Sequence, residues 1–136
     1  MTPNIQRPVI SLMMAVQDAP TAAEWYKRAL GATELWSLGS VMGLEIEGAP
    51  FFLHEPTSKG FESPTEIGTT TVRVEVFVDD PDTFIELALE AGATGSVDGI
   101  QDHQRPWGKH RQGGFTDPSG HTWSVGDKSP LSRSRG

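Results

Sequence analysis

The first half of the chain alternates apolar and polar positions in a way that predicts one strand, one helix and three further strands. Residues 9–16 are mostly apolar and rich in β-forming types, so a strand is expected over Val9–Val16. Alternation places one set of its side chains under the helix: Ile10, Leu12, Met14 and Val16. The helix is expected to begin after a cap at Asp18 and to end at Gly31. Its apolar stripe falls at helical spacing: Ala22, Trp25, Tyr26 and Ala29. Three strands are predicted after it: Glu34–Leu38, Val41–Ile46 and Pro50–His54.

The same pattern restarts in the second half, after a stretch over residues 55–70 whose Pro and Gly content predicts a loop. Thr71–Val78 alternates as a half-buried strand. Asp79 or Asp80 is expected to cap a second helix, which Pro81 opens and Gly92 closes. Its predicted stripe is Phe84, Leu87, Ala88 and Ala91. The remaining predicted strands are Thr94–Ile100, Gly113–Thr116 and His121–Val125, which leaves Gln101–Gln112 as a loop.

The two halves repeat each other. The interval from Asp18 to Gly31 equals the interval from Asp79 to Gly92, and Ala-Thr follows the glycine in both. We therefore predict an α+β fold in which two tandem βαβββ modules form a curved mixed sheet around a cavity. The predicted boundaries are residues 8–54 and 71–126 for the modules, 55–70 for the linker and 127–136 for a frayed tail carrying Arg133 and Arg135.

Composition narrows the function classes. The net charge of −7 argues against nucleic-acid binding, because phosphate contacts need clustered Lys and Arg. No apolar run is long enough for a membrane span, and the first residues lack the pattern of a secretory signal. The chain has no cysteine, which removes disulfides, thiolate metal sites and a cysteine nucleophile. We expect a cytoplasmic protein.

A series of short motifs resembles the vicinal oxygen chelate superfamily, which includes glyoxalase I, extradiol dioxygenases, fosfomycin-modifying enzymes and bleomycin-resistance proteins. They occur in the family's order: Val16–Asp18, Trp25–Ala32, Val78–Asp80, Ala91–Ala93 and Asp117–Trp123. Trp107-Gly108 followed by Phe115–Pro118 is similar to small bacterial glyoxalase-like relatives. The resemblance spans nearly the whole chain and implies the same two-module fold.

The resemblance also implies positions for a divalent metal ion, which family enzymes hold with His, Gln or Glu. In this sequence those positions carry Ser11, Phe52, Arg73 and Ser124, none of which is a usual ligand. His54 and Glu75 share strand faces with Phe52 and Arg73, but two ligands are too few for a catalytic site. We therefore expect no metal and no cofactor.

Strand alternation and the resemblance together select side chains that would line the cavity and bind a small molecule. The predicted ligand-binding residues are Met13, Trp36, Phe52, His54, Arg73, Glu75, Phe77, Trp107 and Ser124. Arg73 and Glu75 are either an ordinary ion pair on a solvent face or partly buried groups that bind each other or a ligand. In the second case the Arg73 guanidinium suits a carboxylate or phosphate.

Two functions remain open at this point, besides a scaffold role. The first is a metal-free binding protein, similar to the bleomycin-resistance branch, that forms a homodimer and sequesters an antibiotic or metabolite. The alternative is an enzyme of the lyase, isomerase or dioxygenase type. Its chemistry would use a divergent metal site at His54 and Glu75, or Glu75 as a base supported by Arg73.

Overall fold

The computed structural model describes residues 8–57 and 60–131, and within them each half of the chain builds one four-stranded sheet. The first half contains β1 Met13–Ala15, α1 Ala19–Leu30, β2 Thr33–Ser37, β3 Val41–Ile46 and β4 Ala49–His54. The second half contains β5 Arg73–Phe77, α3 Pro81–Glu90, β6 Gln101–Arg105, β7 Gly108–Thr116 and β8 Thr122–Gly126. A short helix, α2 Pro64–Ile67, lies between them. The predicted α+β class with two βαβββ modules is confirmed, and the two sheets do not close into a barrel.

Both sheets have the same strand order. The first runs β1-β4-β3-β2 and the second runs β5-β8-β7-β6. In each, the strand before the helix pairs in parallel with the last strand of its module, and the other pairs are antiparallel. The repeat in the sequence is therefore a repeat of topology.

Local signals explain why α1 forms where the sequence predicts it. The Asp18 carboxylate accepts from the backbone N–H of Thr21 at 3.2 Å and caps the first turn. Gly31 ends the helix at φ 72°, a left-handed conformation that favours glycine, and its N–H donates to the Tyr26 carbonyl. Trp25, Tyr26 and Ala29 are buried, which confirms most of the predicted stripe.

The core is shared between the halves, and α1 lies at its centre. The Trp25 indole N–H donates to the Ala91 carbonyl of the second half at 2.8 Å. The Tyr26 ring lies 5.5 Å from the ring of Phe51 in the first half and 6.0 Å from that of Trp123 in the second. Phe115 stacks on Trp123 at 5.8 Å. Aromatic rings at these separations attract each other beyond the area that they bury, so the contacts join the two modules.

Two predictions for the first half and the linker are wrong. The predicted strand Val9–Val16 is too long, since only Met13–Ala15 pair with β4. Ile10 is 94% exposed, whereas it was expected to pack under α1. The linker is not all loop. Ser63 starts α2, with Pro64 in the first turn, and Gly68 ends it at φ 82°.

Two predictions for the second half are also wrong. Thr94–Ile100 is not a strand: Thr94 makes one bridge to Thr116, and Val97–Gly99 form a single 3₁₀ turn. The predicted loop at Gln101–Gln112 is the β6–β7 hairpin, because polar residues at an exposed sheet edge form a strand without showing apolar alternation.

The apolar stripe of α3 differs by one position from the prediction. Ile85, which was not included, is fully buried, whereas Leu87 is 51% exposed. At the other end of the module, Ser129–Leu131 form a 3₁₀ turn where a frayed tail was expected. Residues 132–136, with Arg133 and Arg135, lie outside the described residues. None of the helices in the described ranges has the length and apolar character needed to cross a membrane.

Candidate ligand-binding site

Each sheet has one face packed into the core and an opposite face that we call the open face. On β5, Val74 and Val76 pack against the core, while the alternating Arg73 and Glu75 do not. The alternation of strand side chains causes this division. All four strands of the second sheet contribute polar side chains to its open face.

The open face of the second sheet contains a bowl-shaped cavity of about 470 Å³. Polar residues from all four strands line it: Arg73, His103, Gln112, Thr116, Thr122 and Ser124. Thr94, which lies outside the strands, also lines it. Gly114 belongs to the wall, and a Cβ there would lie 2.5 Å from the Trp123 carbonyl oxygen, so only glycine fits. We refer to this cavity as the bowl.

Arg73 and Glu75 pair with each other at the bowl. The Arg73 Nη2 and Nε atoms donate to the same Glu75 oxygen, Oε2, at 2.8 and 3.2 Å. Their side chains are 60% and 40% exposed, so solvent screens much of the ion pair. Within residues 8–57 and 60–131, Arg73 makes no other hydrogen bond or ion pair.

A second polar pair lies beside them. The Gln112 Nε2 atom donates to the Ser124 Oγ atom at 2.6 Å, and Ser124 is 8% exposed. Because Oγ accepts in this contact, the Ser124 hydroxyl proton remains available for another acceptor. In the β5–β8 register, Ser124 is the direct partner of Glu75.

The open face of the first sheet carries an aromatic pair. The Trp36 ring stacks on the Phe52 ring with centroids 5.8 Å apart and planes inclined by 26°. Trp36 lies over Gly43, where a Cβ would come within 2.8 Å of the indole. Met13, the β1 partner of Phe52, is 46% exposed and Trp36 is 41% exposed. Stacked rings with accessible edges suit an apolar or planar group.

The other predicted site residues lie apart from these clusters. His54 places Nδ1 2.7 Å from the Glu55 carbonyl and packs edge-on against Phe61. Phe77 lines a separate hollow with Asp80 and Phe84. Trp107, at the turn of the β6–β7 hairpin, donates its indole N–H to the Ser129 hydroxyl at 2.8 Å.

Sequence reasoning missed His103 and Gln112 as residues of the bowl. Both lie in the segment that was predicted as a loop, where alternation carries no information about direction. Their positions follow from the pairing of β6 with β7, which places His103 opposite His110 and Gln101 opposite Gln112. This pairing is a long-range interaction, so no local signal in the sequence could have found them.

The side chains at the family's metal positions do not fit a divalent cation. Ser11 donates its hydroxyl to the Pro50 carbonyl at 2.6 Å, Phe52 has no donor atom, and Arg73 is itself a cation. Within residues 8–57 and 60–131, no three His, Asp or Glu side chains lie close enough together to hold a metal ion.

A second hollow, a groove of about 410 Å³, lies between α1 and the turn at Pro118-Ser119. Its lining includes Tyr26, whose hydroxyl donates to the Asp117 carboxylate. Asp117 also accepts from the Trp123 indole at 2.9 Å and from two backbone N–H groups. Burial, and then the Asp117 charge, raise the pKa of Tyr26 well above its ordinary value. The polar groups of Tyr26 and Asp117 therefore bind each other and the core. The groove is the gap that remains where α1 packs beside the turn.

Proteins of known structure share this architecture at low sequence identity. TioX from Micromonospora sp. ML1 superimposes with a TM-score of 0.66 at 22% identity, over 89% of this chain and 98% of TioX. The fosfomycin resistance protein FosX from Mesorhizobium loti gives 0.63 at 13% identity, over 94% and 100%. A glyoxalase/bleomycin resistance protein from Albidiferax ferrireducens T118 gives 0.66 at 15%, over 86% and 96%. At these identities the likeness concerns the fold.

Sequence comparison extends the likeness to the family level. Uncharacterised proteins of Mycobacterium bovis and Mycobacterium tuberculosis are 36% identical in an alignment of 129 positions, and the alignment covers 88% of this chain and 82% or 74% of theirs. The model of the glyoxalase-like domain matches residues 11–126, which include both modules. The chain therefore belongs to the glyoxalase-like domain family, in agreement with the resemblance of its motifs to the vicinal oxygen chelate superfamily.

Proposed function

We propose that this chain is a cytoplasmic binding protein that holds a small organic molecule on the open face of its sheets without a divalent metal ion. The observation that carries the proposal is the substitution at the family's metal positions. Arg73 and Ser124 occupy two of them, and both line a cavity of ligand size. Side chains that donate hydrogen bonds can bind a small molecule, but they cannot activate it as a metal ion does. A site in which such side chains replace the metal ligands is therefore suited to binding.

The size and lining of the bowl support this proposal. About 470 Å³ falls within the roughly 300–1,000 Å³ typical of small-molecule pockets. The bowl also supplies a few polar groups that can orient a small molecule, which is typical of ligand sites.

We further propose that the protein works as a homodimer. Strand β2 is exposed along its length, and Leu35, Trp36 and Leu38 are 45%, 41% and 77% exposed. A second copy laid over the open faces would cover this apolar surface and enclose a bound ligand. Sedimentation velocity at increasing concentration is expected to show a dimer, and a monomer at high concentration would contradict the proposal.

Fluorescence titration of chelator-treated protein tests the proposed function. Trp25 and Trp123 are buried, so a ligand on the aromatic pair is expected to change the emission of Trp36. Antibiotics are the first compounds to test, because two similar structures carry the names of resistance proteins. Trp36→Phe is expected to remove the response of a ligand on the aromatic pair, and Trp107→Phe is the matched control.

Two results would overturn the proposal. Binding that appears only after Ni²⁺, Mn²⁺, Zn²⁺ or Fe²⁺ is restored would show that a metal ion is part of the site. A ligand recovered in chemically altered form would make the protein an enzyme. The expected result is metal-independent binding with the ligand recovered unchanged.

A further inference from the structure

We infer that the bowl selects small organic molecules that carry a carboxylate, and that the Arg73 guanidinium receives this group. The inference rests on the proposed function, because it names the class of ligand for the same site. It is argued from the charge of the lining, the geometry of the guanidinium and the buried donors beside it.

Arg73 is the only charged side chain among the described residues that line the bowl, and Glu75 pairs with it from outside the lining. The protein has 18 acidic and 11 basic side chains and a net charge of −7. Nevertheless, no Asp or Glu lines the bowl among the described residues, and Arg73 contributes a cation. The other polar lining residues can donate as well as accept hydrogen bonds, so the preference for an anion comes from Arg73; they are Thr94, His103, Gln112, Thr116, Thr122 and Ser124. A cavity with this lining favours an anion over a cation.

The hydrogen bonds of Arg73 leave one edge of the guanidinium free. Glu75 Oε2 takes the Nε–H and one Nη2–H, which lie on the same edge. The outer edge keeps two parallel N–H groups, one on Nη1 and one on Nη2, and such a fork matches the two oxygens of a carboxylate. Glu75 acts here as a positioning residue, because it fixes the rotation of the guanidinium.

The second contact for the ligand comes from β8. Ser124 is 8% exposed and accepts from Gln112 at 2.6 Å, so its hydroxyl proton is free to donate toward the bowl. An apolar ligand would leave this buried donor without an acceptor, which costs free energy. A ligand that places an acceptor there avoids that cost. The Ser124 hydroxyl therefore favours ligands with a hydrogen-bond acceptor, as Arg73 does.

The test uses three ring compounds that differ in their polar group, titrated into the ¹⁵N-labelled full-length protein. Benzoate is expected to bind with a Kd of about 1 mM, as is typical of a fragment with one charged contact. It should shift the amide signals of Gly114, Ser124 and their neighbours. Benzamide and benzylamine are expected to bind about tenfold or more weakly.

Variants separate the roles of the two charged residues. Arg73→Gln is expected to weaken benzoate about tenfold or more, and Arg73→Lys less, because an ammonium lacks the fork. Glu75→Gln keeps an oxygen that can position Arg73 and removes a negative charge, so benzoate should bind about threefold more tightly. Arg105→Gln on β6 is the matched control, since Arg105 does not line the bowl, and it should leave the Kd unchanged.

The outcomes distinguish this inference from the proposed function. Equal binding of benzoate and benzamide in the bowl, or full affinity in Arg73→Gln, would overturn the choice of a carboxylate and leave the binding function in place. Shifts confined to the first sheet would also overturn it. Absence of binding by any compound at either open face, in this test and in the fluorescence screen, would overturn both.

Discussion

A single glycine determines the position of Trp36. Gly43 leaves room for the indole, and a Cβ there would lie 2.8 Å from two of its ring atoms. Gly43→Ala is therefore expected to push Trp36 off Phe52. The cost in stability should stay below about 1 kcal/mol, because the ring is 41% exposed and can move outward.

Fluorescence in a Trp107→Phe background checks this expectation. The emission of Trp36 should shift to longer wavelength as the ring becomes more solvated. Gly99→Ala serves as the control, because open space surrounds that position and its backbone is not left-handed. An unchanged spectrum for Gly43→Ala would show that the stack does not depend on the missing side chain.

Tyr26 is the only tyrosine of the chain, so its titration can be read directly. Burial, followed by the charge of Asp117, raises its pKa in the folded state. Its contribution to stability is therefore complete below the unfolded value of about 10 and is lost as the pH rises above it. Phenolate absorbance should appear only together with unfolding, whereas the urea-unfolded chain should titrate near pH 10. Ionisation near pH 10 in the folded protein would contradict the buried Tyr26–Asp117 pair.

At the scale of elements, the turn at Ser129–Leu131 is attached to strand β7 through Asp127. One Asp127 oxygen contacts the His110 ring at 2.7 Å and accepts from the Ser129 hydroxyl and backbone, and the other accepts from the Arg111 N–H at 3.0 Å. Hydrogen bonds, first that of Ser129, hold the pKa of Asp127 well below its ordinary value. The carboxylate therefore stabilises the fold above the unfolded pKa of about 4, and this contribution is lost as the pH falls.

Asp127→Asn is expected to lower the free energy of unfolding by about 1 kcal/mol at pH 7, because weaker neutral hydrogen bonds replace charged ones. The difference from the native chain should shrink at pH 3. Urea unfolding at the two pH values measures both quantities, with Asp98→Asn as the control. A difference that stays constant between pH 7 and pH 3 would mean that the charge of Asp127 is not what stabilises the turn.

Elements with strong local signals were the ones that the sequence predicted well. Helix α1 has a capping carboxylate, a proline in its first turn and a terminal glycine, and its bounds agree with the prediction. Strand β6 has none of these, because all its residues are polar and it lies at a sheet edge. Its pairing with β7 is a long-range interaction, which local patterns do not specify.

At the scale of the whole molecule, the two modules are expected to unfold together. Trp123 in the second half lies 6.0 Å from both Tyr26 and Phe51 in the first, and it is 2% exposed. Trp123→Ala should therefore destabilise the protein by about 3–5 kcal/mol. Hydrogen exchange should show lost protection in both sheets, whereas Trp107→Ala should change little. Loss confined to the second sheet would show that the modules are independent.

The sequence by itself determined the fold class, the order of the modules and the strand faces on which Arg73, Glu75 and Ser124 lie. These follow from local periodicity and capping, which act within a few residues of each other. Only the tertiary structure decided that Arg73 turns to Glu75, that Gln112 binds Ser124 and that His103 joins them. The physical reason is strand pairing, because it brings together four segments that are distant in the chain, and the resulting register decides which side chains meet.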